Sequence, residues 1–334
     1  MINKIKIKFL KLFNPIVWGF ASFYFNIKHL FSNEAILFSI KKYDITATKV
    51  ACFVTLSSRV ISNANALSIK YLKTLGYHVI VVVNMDKPIN LKELISKIER
   101  FDDSLSIIVR NNYGYDFGGY KEFIGFINST KNEVNSIILS NDSTYFPVTN
   151  ISTFNNFIKL NNHKDVISSS TNYSDAPGKH HQSYFIILNN FIKNKSILGL
   201  FFNNYKCLNS RVHAIHNGEV AFSKYLFLKG FTMASFLSIE NSVNLYRRFK
   251  EVPHGLINSN TTHSMATELI TKYEFIFLKK DLARRGILNW HHINDVVSNI
   301  SNEVAEDILR DFELGYDPKS KSLLDKLISF YGFK

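Results

Sequence analysis

Three glycines, three tyrosines and one aspartate fall together in NNYGYDFGGYKEF, residues 111 to 123, and a second polar group, Asn141, Asp142 and Ser143, closes the apolar run SIIL. Both groupings suit a phosphorylated or hydroxylated ligand. Gly114, Gly118 and Gly119 accept positive φ and let backbone N–H groups approach a ligand without a Cβ in the way. Asp116, with Asn112 upstream and aromatic rings on either side, suits a ribose or sugar hydroxyl. The G-x-x-x-G-G spacing is neither the dinucleotide fingerprint nor the phosphate loop that ends in Gly-Lys-Ser/Thr. An acid at the end of a buried strand, as Asp142 is, suits a divalent cation, Mg2+ or Mn2+, that keeps several waters and bridges phosphate oxygens. Turn chemistry accounts for the same residues: Asp116 as a helix cap, and Asn141 to Ser143 as an Asx turn before Pro147.

Further along, HNGEVAFSKYLFLKG sets Asn217 and Gly218 before an amphipathic helix, which puts Glu219 in its first turn. There the helix dipole favours the carboxylate, which can take a proton from an acceptor hydroxyl; a helix-stabilising Glu fits the position equally. In HQSYF, Gln182 and Ser183 open a strand and offer polar groups to an acceptor or donor sugar, while His180 and His181 read as exposed loop residues. Thr261 or Thr262 caps a helix whose first turn holds His263, a candidate for a diphosphate or a metal, or a plain capping histidine. Arg284 and Arg285 suit phosphate or an exposed helix end alike.

The elements that must position these residues are regular from residue 49. KVACFVTLS, HVIVVVN, LSIIVRN and SIILSND read as buried strands, and NANALSIKYLKTLG, NLKELISKIER and a stretch reaching about Ser129 as the helices between them. Alternation at this spacing implies an α/β fold with a mostly parallel, helix-covered sheet. Ligands then gather at the carboxyl ends of the strands, where both loops lie.

Lysine and arginine exceed the acids by 13, which favours an anionic partner: a nucleotide diphosphate, acidic headgroups or nucleic acid. No nucleic-acid module or interleaved basic-aromatic platform is present, which argues against the last. Cys52 and Cys207 have no CxxC spacing and read as core residues of a reducing compartment. Residues 1–48 mix lysines with Trp18, Phe20, Phe23, Tyr24 and Phe25. That suits a helical segment lying in a membrane interface, or one packed on the protein's own core. Residues 291–334 read as one or two helices without obvious chemistry.

Five blocks in order, RNNYGYDFGGYKEF, ILSNDSTYFPV, HQSYFIILNNF, NGEVAFSKYLFLKGF and NTTHSMATELITKYEFIFLKKDL, resemble the motifs of the rhamnan synthesis protein F family. The resemblance spans about residues 49–290 and implies a GT-A-like glycosyltransferase domain between N- and C-terminal helical extensions. It implies transfer of rhamnose or another hexose from a nucleotide-sugar donor to a lipid-linked or oligosaccharide acceptor of a bacterial surface polysaccharide, at the cytoplasmic membrane surface. Gly114, Asp116, Gly118 and Gly119 fall on the family's glycine-aspartate block. Asn141, Asp142 and Ser143 fall on the block that takes the place of the metal-binding acidic motif; many GT-A enzymes have two acids there and this chain has one. The late block also departs, with Met265 where an aromatic is common and FIF at 275–277 lacking the usual proline. A non-catalytic glycan-binding or scaffold protein would keep the same fold.

Overall fold

Unbroken apolar runs become strands. After a two-residue β1 (Phe38–Ser39) come β2 (Lys49–Leu56), β3 (His78–Met85), β4 (Ser106–Asn111) and β5 (Ser136–Asn141), with α1 (Asn63–Thr74), α2 (Leu91–Phe101) and α3 (Tyr115–Ser129) between them. The chain continues through β6 (Thr144–Tyr145), α4 (Ser152–Leu160), β7 (Val166–Asn172), β8 (His180–His181), β9 (Phe185–Leu188) and α5 (Phe191–Asn204). One helical stretch then joins α6 (Arg211–His213), a π-helical segment (Ala214–Val220) and α7 (Ala221–Leu228). Last are β10 (Met233–Leu237), α8 (Thr261–Ser264), α9 (Ala266–Tyr273), β11 (Leu278–Lys279), α10 (Lys280–Arg284) and α11 (Asn302–Glu313). This computed structural model describes residues 38–39, 46–60, 62–85, 90–172, 179–238, 240–242, 244, 260–284 and 302–313.

The main sheet runs β1-β4-β3-β2-β5-β9-β7-β10, with β8 paired to β7. β2 pairs in parallel with β3 and β5, β3 with β4, and β7 with β10; β9 is antiparallel to its two neighbours, and β1 to β4. All strands on that path except β1 and β9 therefore point one way, as the expected α/β class requires. Alternation sorts the strands onto two cores. Ala51 and Phe53 face α1, α2 and an aromatic cluster around Phe146, Phe154 and Phe277. Val50, Cys52 and Val54 face α3, α5 and α7. Both cysteines are buried and free, as expected of core residues.

Local chemistry fixes the helix starts. Ser62 caps α1 by accepting from Asn65 N (3.2 Å), and Asn90 caps α2 by accepting from Lys92 N (3.1 Å). α11 packs on α1 from the far end of the chain: Asp307 Oδ2, buried, accepts from Ala64 N at 2.8 Å.

Most of the proposed N-terminal segment lies outside the described residues; within it Phe38–Ser39 is a strand beside β4, not a helix. In the C-terminal segment, α11 is helical as read, and the remainder lies outside the described residues. Among the described residues no helix is long and apolar enough to cross a membrane.

Candidate active site

The carboxyl ends of β2, β4 and β5 meet where strand order reverses between β2 and β5, and antiparallel β9 brings in Gln182 and Ser183 just before its first residue. The site is assembled at this edge.

After β4 the chain turns sharply into α3. Gly114 has φ +75° and Tyr115 φ +53°, so two successive left-handed residues aim the first turn of α3, with Asp116, at the sheet edge. The expectation that the three glycines clear space for a ligand is corrected by their surroundings. A Cβ at Gly114 would lie 2.9 Å from Cys207 Cα; at Gly118, 2.2 Å from Tyr113 O and 2.7 Å from Arg110 Nη2; at Gly119, 2.7 Å from a Val54 methyl. They admit protein, not ligand. Buried Arg110 holds the turn together, donating to Asn84 Oδ1 (2.7 Å) and Tyr113 O (2.5 Å).

At the end of β5, Asn141 forms the Asx turn, its Oδ1 accepting from Ser143 N at 3.0 Å while its Nδ2 donates to Tyr120 Oη at 3.0 Å. Both ends of this side chain are spent inside the protein, so it shapes the loop instead of meeting a ligand. Asp142 is nearly buried; Thr55 Oγ1 donates to its Oδ2 at 2.9 Å, and its own N–H donates to Val54 O at 2.9 Å. Ser143 lines the neighbouring pocket. β11 pairs antiparallel with β6, and Lys280 N donates to Ser143 O (2.9 Å), which sets Lys279 beside this loop.

Glu219 is not in a first helical turn. Helix begins at Arg211 with Ser210 as its cap, and Glu219 lies near the end of the π-helical segment. The dipole argument for its charge therefore fails, and local donors replace it. Ser183 N and Ser183 Oγ both donate to Glu219 Oε2 at 2.7 Å, and His180 Nε2 lies 3.2 Å from Oε1. Burial works to raise this carboxyl, but the hydrogen bond and charge of His180, then Lys279 and Ser183, bring it down to about 2. Gly218 sets the depth of the segment, because a Cβ there would lie 2.7 Å from the Phe117 ring. His180 and His181 are buried, not exposed loop residues. His181 Nδ1 lies 2.6 Å from Ser168 Oγ, and burial, with the charges of Lys179 and His180, lowers its ring to about 4.

These groups border a cavity of about 560 Å3 that Asp116, Ser143, Gln182, Ser183, Glu219 and His263 line together. Asn112, Gly114, Gly118, Gly119, Asn141 and Asp142 are not among the residues that line it. Gln182 Oε1 accepts from Ser170 Oγ at 2.8 Å and Thr262 Oγ1 at 3.3 Å. The cap of α8 is Asn260, not Thr261 or Thr262, and His263 Nε2 pairs with Asp281 Oδ1 at 3.5 Å. The side chain of Arg284 and all of Arg285 lie outside the described residues.

Cationic groups that the sequence reading left without a role also enter the cavity: Lys279, Arg211, Arg59 and Lys280. Lys279 Nζ sits 4.2 Å from the Tyr184 ring centre, and burial lowers its ammonium while Glu219, Asp281 and Asp116 hold it up. The visible sign was the paired lysine in FIFLKKDL. Asp116 lines the cavity from the first turn of α3. Burial and then the Asp142 charge raise it to about 7, against Lys279 and Arg211. Asp142 and Asp116 thus share one field across the cavity wall. Among the described residues no three His, Cys, Asp or Glu side chains form a metal cluster. That donor set fits Mg2+ or Mn2+ held by one or two carboxylates, waters and a ligand's phosphates, and does not fit an ion caged by protein alone.

Residues 79–282, more than half of the chain, match the family described as rhamnan synthesis protein F. The chain belongs to that family. An uncharacterized protein, y4gN of Sinorhizobium fredii (strain NBRC 101917 / NGR234), is 25% identical over 186 residues, which make up 55% of this rhamnan synthesis protein F family chain and 47% of the relative. The chain thus spans about half the length of the curated relative it matches. Among solved structures, the bifunctional glycosyltransferase WbbM is 13% identical with a TM-score of 0.40, over 84% of this chain and 54% of that one. The glycosyltransferase GlyE of Streptococcus pneumoniae TIGR4 is 12% identical with a TM-score of 0.40, over 82% and 66%.

Proposed function

We propose that this protein is a GT-A-like glycosyltransferase that moves rhamnose or another hexose, with inversion, from a nucleoside diphosphate donor to a growing bacterial surface polysaccharide, such as an O-antigen, a capsule or a rhamnan. The observation that carries this reading is the two-sided cavity: Lys279 and Arg211 supply positive charge, and Glu219 stands fixed against Ser183 and His180. Membership of the rhamnan synthesis protein F family supports the substrate class.

In this reading the cations and Ser143 face the donor diphosphate, Asp116 holds a donor hydroxyl, and His263 lies at the phosphate side. Asp142 would hold a divalent cation, which when bound offsets charge on the leaving nucleotide. Gln182 and Ser183 border the acceptor. Glu219 stays ionised and takes the proton from the acceptor hydroxyl as the glycosidic bond forms, and His180 beside Oε1 steadies the pair electrostatically. Residues 49–290 are the transferase unit, with the segments on either side attached to it, and the protein works in the cytoplasm at the inner face of the cell membrane, where a lipid-linked acceptor is found.

Thermal shift of the purified chain against nucleotide sugars and free nucleotides, with and without Mg2+ or Mn2+, tests this directly. A ligand that prefers the folded state raises the midpoint by mass action. A rise with one nucleotide family, weakened in Asp142→Ala only when metal is present, is the expected result. No rise with any donor would favour the second reading, a non-catalytic glycan-binding or scaffold protein, for which the ion pairs of Asp281 with His263 and Arg211 already occupying the cavity speak.

A further inference from the structure

The helical stretch that carries Glu219 has a second side. Arg211, Ile215 and Glu219 border the cavity described above, whereas His213, Asn217 and Tyr225 border a second cavity of about 420 Å3. Residues two apart in a helix point to nearly opposite sides, so Ile215, Asn217 and Glu219 serve the two cavities in turn. The other wall of the second cavity is α5. Leu200 and Phe201 line it, with Asn204 and Tyr205 four residues on, so that wall is one helical face. The π-helical segment Ala214–Val220 supplies residues to both cavities, and segments of this kind are rare and concentrate at functional sites.

The floor of the second cavity is held by its own hydrogen bonds. His213 Nε2 donates to Lys206 O (2.9 Å), and its Nδ1 accepts from Asn217 Nδ2 (2.8 Å). The buried His213 ring lies 5.6 Å from that of Tyr205, and Phe201, half-buried, lies 5.3 Å from Tyr225. Leu200, Asn204, Lys206 and Asn217 are exposed and form the rim. His213 takes one N–H of Asn217, which leaves that amide an oxygen and a second N–H, while Asn204 brings another amide from the α5 side.

Aromatic rings with neutral amides above them suit a pyranose. Its C–H face is drawn to the electron-rich face of a ring, and its hydroxyls donate and accept, as an amide does. Among the described residues that line this cavity there is no acid, and Lys206 is the one fixed cation. A phosphorylated ligand is better matched by the other cavity, with Arg59, Arg211, Lys279 and Lys280. An extended peptide would need a sheet edge, which two helices do not offer, and a helical one a longer apolar row than Leu200 and Phe201.

We propose that the groove between α5 and the α6–π–α7 stretch binds a neutral saccharide unit. One helix thickness, roughly 10 Å, separates it from the cavity of Glu219. A glycan held there keeps the rest of its chain close to that cavity, so that a second encounter becomes intramolecular. This consequence rests on the glycosyl-transfer reading, but the binding itself does not.

Saturation-transfer NMR of the full chain with rhamnose and mannose trisaccharides tests it, run beside the nucleotide thermal shift that reports on the other cavity. At least one trisaccharide should receive saturation from the wild type. Leu200→Glu/Asn204→Ala should bind at least about tenfold more weakly, having lost an apolar contact and an amide partner, with melting temperature and nucleotide response unchanged. Gln182→Ala, in the other cavity, should retain the signal. Absence of a signal with the wild type would overturn the proposal. So would undiminished binding by the double variant, or loss of the signal in Gln182→Ala, which would put the sugar beside Glu219. Saccharide binding that the double variant weakens, without any nucleotide response, would remove the transferase reading and leave this site standing.

Discussion

Ser183 gives both its backbone N–H and its hydroxyl to one oxygen of Glu219, each at 2.7 Å. The carboxylate is thereby fixed and kept ionised, where a helix N-terminus would only have biased it. Glu219→Gln keeps an oxygen for those two donors but removes the charge. Turnover should fall roughly 100- to 10,000-fold, with the nucleotide-induced thermal shift unchanged. Full activity in that variant would end the assignment of Glu219 as the proton acceptor.

Two carboxyls in the cavity should shape stability against pH in opposite ways. Asp116 is raised from 3.8 to about 7, so between those values the folded chain keeps a proton the unfolded chain has lost, and stability falls as pH rises across that window. Glu219 is lowered from 4.5 to about 2, so its contribution is present above 4.5 and is lost as pH falls through about 2. Chemical denaturation from pH 4 to 7 should show Asp116→Asn with a flatter profile than the wild type, by up to about 1.4 kcal/mol per pH unit. Parallel profiles would mean that Asp116 is ionised throughout.

The glycine-rich turn can be tested for packing against ligand contact. At Gly119 a new Cβ meets a Val54 methyl, which has some freedom to move; at Gly118 it meets the Tyr113 carbonyl at 2.2 Å, which has none. Gly119→Ala should lose stability within the range of about 1–3 kcal/mol typical of overpacking, less the helix-propensity gain of about 1 kcal/mol, and Gly118→Ala should lose more. Urea midpoints give the ranking. A variant with wild-type stability but no nucleotide response would return that glycine to the ligand.

Asp307 should matter out of proportion to its distance from the cavity. Removing its carboxylate in Asp307→Ala leaves the Ala64 N–H buried without this acceptor, at a cost of about 1–2 kcal/mol. Hydrogen exchange at Ala64 should speed up along with the drop in midpoint, and Asp307→Asn should recover part of both.

The fold was readable in the chain because burial on both faces writes itself as unbroken apolar runs. KVACFVTL, HVIVVV and SIIL could hardly be anything else, and the strands end where the runs end. The site was less readable. Glu219, Asp116, Ser143, Gln182, Ser183 and His263 do converge on one cavity. Local sequence does not explain why several of them do so. Asn217 and Gly218 looked like a helix start, but the segment from Arg211 has no strong pattern of its own and is held helical by packing against Phe117. The glycines answer to Val54, Tyr113 and Cys207, two of which lie many residues away. His180 looked exposed because nothing adjacent to it in sequence forecasts a buried carboxylate 39 positions on. Lys279 acquires its place only through pairing of β11 with β6.

The bond from Ala64 to Asp307 also orders the events of synthesis. Its partners are 243 residues apart, so at typical elongation rates the amide waits roughly 12–50 s on the ribosome for its acceptor. Every strand of the main sheet leaves the exit tunnel before α11 does. The nascent sheet must therefore hold α1 in place with Ser62 as its cap, and the last of the described helices completes one of the first.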